Sequence, residues 1–268
     1  NGNVHVVYWG PDLSFIAPGA IFVTKSSGGE GTLTFSEPVR AGRTGVGQSC
    51  RPSMLPAQGT RGIYPSPSIA IDHSNGPFGG RIYLSYAVNS NPSEFFNPDI
   101  VVQSSKDGGA NWSVPMVIHK QDVNSQFHPW LSVDPYTGAV AVIYYDARND
   151  TGGDEPGTPS CIPLTPREEE SNLAVEVWVS TSIDGGETWF ESRLSDSAYE
   201  AWCTAQGYLE YIGVSCMDGS IRGVWTSENP TPDCCSGTNH FVFDRVLVQD
   251  VAQSDTLRVP SEFSSIDG

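Results

Sequence analysis

The sequence predicts an all-β chain, a β-propeller of four-stranded antiparallel blades, and three observations carry the prediction. The 268 residues include 28 glycines and 20 prolines, with aromatics at 10%. Gly and Pro punctuate turns, while Tyr, Trp and Phe suit half-buried pleated surface, so the composition describes many short strands. A turn motif recurs in Ser27–Phe35, Ser104–Trp112 and Thr181–Trp189, its closing aromatic 77 residues further on each time. No stretch of ten residues shows convincing 3.6-residue periodicity, which leaves no room for helices.

Each copy of the motif sits between two apolar strands. Ala20 to Thr24, Ile100 to Gln103 and Val175 to Ser180 precede it; Pro38 to Arg40, Pro115 to His119 and Glu191 to Leu194 follow. A second set of segments interleaves with these, pairing a short strand with a turn and a longer strand that ends in aromatics. Ser68–Asp72 leads to Gly80–Tyr86, Trp130–Asp134 leads to Gly138–Tyr145, and Tyr211–Ser215 leads through Asp218-Gly219 to Trp225. The opening strand, Val4–Trp9, is a fourth copy without its first half.

The repeating unit is therefore strand, turn, strand, loop, strand, motif turn, strand. That is one four-stranded antiparallel blade, which cannot bury both faces alone and stacks on its neighbours around an axis. On this count the chain is a single propeller domain or a fragment of one. It divides into a partial blade at 1–40, an insertion at 41–65, a blade at 66–120, a blade at 128–195 with an inserted loop at 146–172, and a partial blade at 208–260.

A formal net charge of -17 argues against nucleic acid and anionic membrane surfaces, whose binding needs clustered Lys and Arg. No apolar run approaches the ~20 residues that span a bilayer, so no membrane span is expected. Cys50, Cys161, Cys203, Cys216, Cys234 and Cys235 form an even set with material for three disulfides and no zinc-ligand spacing. The expected setting is oxidising, and the location extracellular or otherwise extracytoplasmic.

The pattern S-x-D-x-G-x-T-W is met at every fixed position by Ser182-Ile-Asp184-Gly-Gly186-Glu-Thr188-Trp189. Ser105 to Trp112 departs from it only by Asn111 for Thr, and the first copy has Glu30 for Asp and Phe35 for Trp. The pattern resembles the Asp box, or bacterial neuraminidase repeat, of sialidase-like propellers. Its physics is local: a carboxylate accepts hydrogen bonds across a tight hairpin, glycines supply positive φ, and the aromatic packs between sheets. Glu30, Asp107, Gly109, Trp112, Asp184, Gly186 and Trp189 are accordingly expected to be structural. The resemblance implies a ring of six blades, which two complete and two partial blades leave incomplete. Missing sequence, a smaller ring, or strands from another subunit are the alternatives for closure.

The same resemblance implies three arginines clamping a sugar carboxylate, a Tyr nucleophile activated by a Glu, and an Asp acid/base, of which this sequence supplies fragments. Glu210 resembles the family's Glu before an Asp-Gly turn, but Thr226 stands where its partnering arginine is expected. Tyr144-Tyr145-Asp146-Ala147-Arg148 ends a strand and opens the long insertion. Tyr145, Asp146, Arg148 and Glu210 are the catalytic candidates, with Arg148 as clamp and Asp146 as acid. The alternative is an Asp-Arg pair that ties down the loop. Arg222, Arg51, His128 and Trp130 are the candidates for substrate binding.

Asp146, Asn149, Asp150 and Asp154 offer oxygen ligands at loop spacing, which admits Ca2+ against the alternative of a solvated acidic loop; no other cofactor is expected. Two functions compete. One is a secreted, glycan-directed, exo-acting glycoside hydrolase of sialidase-like ancestry. The other is a non-catalytic extracellular module that binds glycan or protein, or self-associates through open blade edges. Blade likeness favours the first and the incomplete arginine set the second.

Overall fold

The computed structural model describes residues 3–10, 19–27, 34–47, 53, 55–58, 62–89, 97–120, 124–150, 174–200, 210–228 and 239–247. They form four antiparallel sheets, stacked in chain order as blades of a β-propeller. Blade 1 contains β1 (His5–Gly10), β2 (Ala20–Ser27), β3 (Thr34–Phe35) and β4 (Val39–Arg43), with β2 pairing all the others. Blade 2 runs β5 (Ser68–Ile71), β6 (Ile82–Val88), β7 (Asp99–Ser105), β8 (Met116–Val117) in sheet order. Blade 3 repeats that order with β9 (Gln126–Val133), β10 (Val140–Asp146), β11 (Ala174–Ser182) and β12 (Phe190–Arg193), and β13 (Tyr199–Glu200) adds to the start of β11. Blade 4 holds β14 (Gly213–Met217), β15 (Ser220–Glu228) and β16 (Asn239–Leu247).

Strand alternation explains the stacking, because successive side chains leave a strand on opposite faces and an inner blade is covered on both. On β6, Leu84 and Tyr86 pack with Ile21, Val23, Val7 and Trp9 of blade 1. Tyr83 and Ala87 of the same strand join the larger core that runs through blades 2, 3 and 4. Packing between blades 3 and 4 is close enough to demand a glycine. A Cβ on Gly223 would lie 2.8 Å from Ile143 Cδ1 and 3.2 Å from Leu194 Cδ1. The inner strands are also laced by hydrogen bonds from one blade to the next. Leu131 N donates to Ser68 Oγ (3.0 Å), Cys216 N to Ser132 Oγ (3.2 Å) and Gly219 N to Asp134 Oδ2 (2.7 Å).

The motif hairpins between β7 and β8 and between β11 and β12 share one hydrogen-bond pattern. Asp107 Oδ1 accepts from Ser105 Oγ (2.8 Å) and Asn111 N (2.9 Å), and Oδ2 from Asn111 Nδ2 (2.7 Å). Asp184 takes the equivalent bonds from Ser182 Oγ, Thr188 N and Thr188 Oγ1. Gly109 N and Gly186 N each return a bond to the leading serine hydroxyl, and both glycines have positive φ. The hairpins also join blades: Gly108 O lies 3.3 Å from His5 Nε2 of blade 1, and Gly185 O accepts from Arg81 Nη1 of blade 2. Trp112 and Trp189 pack against the two cores, whereas Phe35 is exposed. Glu30 lies outside the described residues.

Hydrogen bonds from the Asn111 side chain and backbone, then from Ser105, lower the Asp107 pKa to about 2. A depressed carboxylate pKa means that the bonds hold fully above the unfolded value of roughly 3.9 and are lost as pH falls through the folded one. A carboxyl NMR titration should place Asp107 well below the solvated aspartates, and Asn111→Ala should bring it back toward them.

Cys216 is a buried free thiol, with burial pushing its pKa up to about 12 and the Asp134 charge adding to the effect. It sits on β14 with its backbone N–H bonded to Ser132, packed in the core. The other five lie outside the described residues.

Candidate functional site at the loop end

An antiparallel blade puts its first turn and its motif hairpin at one end. The connections between second and third strands, and those from blade to blade, lie at the other. All the long connections begin and finish at this loop end. Asp146, the last residue of β10, has no exposed surface there. Its Oδ1 accepts from Arg148 N (2.8 Å) and Gln126 Nε2 (3.2 Å), and its Oδ2 from Arg148 Nε (2.8 Å) and Nη2 (2.6 Å). Arg148 also forks onto Glu191 of β12, Nη1 to Oε1 at 2.8 Å and Nη2 to Oε2 at 3.0 Å. Its guanidinium lies over the Trp178 ring, 4.0 Å from the centroid.

Burial opposes the Arg148 charge, but hydrogen bonds to Asp146 and Glu191 outweigh it and raise the pKa above the ordinary arginine value. With a side chain only 5% exposed, Arg148 is spent on two carboxylates, and Asp146 on the arginine. As placed, the pair ties the start of the loop to the outer strand of its own blade. Glu176, opposite Asp146 on β11, accepts from Asn149 Nδ2, Trp178 Nε1 and Arg193 Nη1. Asp150 Oδ2 accepts from Ala174 N. Asp146, Asn149 and Asp150 are thus each held by separate protein groups, and the described residues contain no group of three His, Cys, Asp or Glu able to hold a metal. Asp154 lies outside them.

Tyr145 is fully buried between blades 3 and 4. Its Oη donates to Thr226 O (3.1 Å), lies 2.9 Å from Thr226 Oγ1 and accepts from Thr226 N (3.2 Å). Its ring stacks on Phe127 at 5.5 Å. A phenol so placed pins two blades together.

His128, expected just ahead of the blade's first strand, lies inside β9 at a bulge, with φ 53°. The bulge turns the ring inward, where it is buried against Tyr145 and Phe127. Nδ1 lies 3.2 Å from Ser66 Oγ, and Nε2 lies 3.5 Å from Gln58 Nε2 of the 3-10 turn Pro56–Gln58. Ser66 precedes Pro67 as His128 precedes Pro129, and it too has positive φ. The two are equivalent positions of successive blades.

Three exposed aromatics lie on or just ahead of the inner strands. Trp130 on β9 is 50% exposed, Tyr211 just before β14 is 61% exposed, and Tyr64 just before β5 is 43% exposed. Glu210 is exposed beside Tyr211. Arg222 is exposed near the start of β15, next to the Asp218-Gly219 turn, and so belongs to the turn end. Arg148 and Arg222 therefore do not converge, because strand direction sends them to opposite ends of the blades. Arg51 lies outside the described residues.

Sequence reasoning missed Glu191, Gln126, Ser66 and Tyr64. Glu191 carried a signal, being a carboxylate in the short strand that closes a blade. Ser66 carried another, since Ser66-Pro67 and His128-Pro129 hold the same place, each six residues before the Asp that follows an inner strand.

No family model and no curated protein matches the sequence. Solved structures do. The α-L-arabinofuranosidase of Fusarium graminearum, solved with an iminosugar inhibitor and with arabinobiose, is 14% identical, with a TM-score of 0.51 over 91% of this chain and 59% of that chain. A Hadza microbial sialidase is 16% identical, with a TM-score of 0.40 over 87% of this chain and 44% of its own. This chain spans less than two thirds of either. The arabinofuranosidase likeness shows one thing, that the stacked sheets are a β-propeller.

Proposed function

We propose that this chain is a glycan-directed propeller that takes sugar rings at its loop end. The observation that carries the reading is the set of exposed aromatics on three successive blades, Tyr64 ahead of β5, Trp130 within β9 and Tyr211 ahead of β14. A sugar ring offers an apolar face of C–H groups and a polar rim. Amphipathic Trp and Tyr match it, burying apolar area while their polar atoms stay wet. The net negative charge directs attention to such stacking rather than to capture of an anionic group. The motif hairpins support sialidase-like ancestry, and the location in keeping with a glycan ligand is extracytoplasmic.

A hydrolase needs a carboxylate pair that flanks the scissile bond. Glu210 is exposed, but Asp146 reaches a ligand only by leaving Arg148. That ion pair favours the binding module over the exo-acting hydrolase as the chain's activity.

A panel of immobilised neutral and sialylated glycans, with fluorogenic arabinofuranosides and sialosides alongside, tests both readings. Binding without turnover is the expected result, and Trp130→Ala should weaken it at least tenfold, or about 1.4 kcal/mol, with the fold intact. Unchanged binding by that variant, or no binding by the parent chain, would refute the site. Turnover would establish the hydrolase instead.

A further inference from the structure

Two residues of the loop end hold a backbone conformation that L side chains rarely adopt. Ser66 has φ 48° and His128 φ 53°, and each stands directly before a proline. Glycine, the default occupant of positive φ, is used at neither place. Strain of this kind persists only where the surroundings over-determine it, and it gathers at ligand clamps and switches.

Ser66 lies ahead of β5 in blade 2 and His128 within β9 of blade 3, yet their side chains meet, Oγ to Nδ1 at 3.2 Å. Ser66 Oγ donates its hydrogen to Tyr64 O (3.3 Å), so toward His128 it accepts, and Nδ1 carries the proton. Nε2 is then the acceptor that faces Gln58 Nε2 at 3.5 Å. The imidazole is buried and meets Phe127 and Tyr145 edge to face. Pro65 O accepts from Ala87 N (2.8 Å), which fastens the Ser66 segment to β6.

An exposed aromatic stands at each end of this bridge, Tyr64 two residues before Ser66 and Trp130 two residues after His128. Tyr64 also leans on Trp9 of blade 1, with ring centroids 5.4 Å apart. The path between the two aromatics is therefore short: Tyr64 O, Ser66 Oγ, His128 Nδ1, then two residues along β9.

We propose that Ser66 and His128 are positioning residues, a hydrogen-bonded bridge between blades that fixes Tyr64 and Trp130 for stacking on sugar rings. The inference rests on the glycan reading of the loop end and adds to it that the two aromatics are preset, so that binding need not order them.

A double-mutant cycle separates positioning from a merely structural role. Affinities of the full chain for arabinobiose and for sialyllactose are measured by calorimetry with Ser66→Ala, Tyr64→Ala and both together. Ser66→Ala should weaken binding about fivefold alone and change nothing once Tyr64 is truncated; should it fail to fold, Ser66→Gly, relaxed at this φ, takes its place. His128→Asn, whose amide reproduces the Nδ1 donor and tolerates positive φ, should bind like the parent, and His128→Ala should not. Amide relaxation of the ligand-free chain reads the bridge without any glycan: Ser66→Ala should lower the order parameter at Tyr64. Additive effects in the cycle overturn the proposal, as does a His128→Asn chain as weak as His128→Ala, or an unchanged order parameter at Tyr64. A parent chain that binds neither sugar, with Tyr64 loosened in Ser66→Ala, instead refutes the glycan reading and leaves the bridge standing as a structural tie alone.

Discussion

Arg148→Ala is expected to cost about 3–5 kcal/mol of folding stability, the penalty for removing one partner of a buried ion pair. The guanidinium makes four side-chain hydrogen bonds to Asp146 and Glu191. Truncation strands both carboxylates, one fully buried and the other nearly so. It also strips the cation from the Trp178 face. Arg148→Lys should recover only part of the loss, since an ammonium keeps the charge but cannot make two forks at once. Urea unfolding of the three proteins checks the order. A substrate-clamping Arg148 would behave differently: Ala would abolish ligand binding and leave the unfolding midpoint nearly unchanged.

Tyr144→Ala is the second large effect, at about 3–5 kcal/mol. The ring is fully buried between blades 2 and 3, and its Oη lies 2.9 Å from Ser180 Oγ. Burial is also the main cause that raises its pKa, with the Asp146 charge adding to it. Most of the loss belongs to the ring and its cavity, so Tyr144→Phe should cost only about 1 kcal/mol. Tyr8 lies on the corresponding face of blade 1. Tyr8→Ala should cost far less than Tyr144→Ala, because 39% of the residue is already in water. Denaturant melts of both variants, at matched low concentration, measure the difference. Equal losses would mean that Tyr8 is covered after all.

The blades were legible in the sequence because their determinants are local. Asp107 and Asn111 are four residues apart, as are Asp184 and Thr188, so the hairpin chemistry is written within one motif. Burial on both faces of the inner strands likewise appears as short apolar runs ending in aromatics, such as Val140 to Tyr145. The site was less legible, because its bonds join distant residues. Arg148 and Glu191 are separated by 43 positions and Tyr145 and Thr226 by 81. A residue pattern names the groups able to ionise, donate or stack. It does not say whether another part of the chain has already engaged them.

The repeated turn motifs and alternating apolar strands were enough, by themselves, to determine an all-β propeller built of four-stranded blades, since hairpin closure and the two-residue period depend on neighbours in the chain. Only the tertiary structure decided the state of the polar groups at the loop end. Asp146, Arg148 and Tyr145 are drawn into the contacts that hold strands and blades together, while Trp130, Tyr211 and Tyr64 are left open. The physical reason is that burial and pairing are properties of the stacked blades, and a charge that meets its partner inside the stack has little left to offer a ligand.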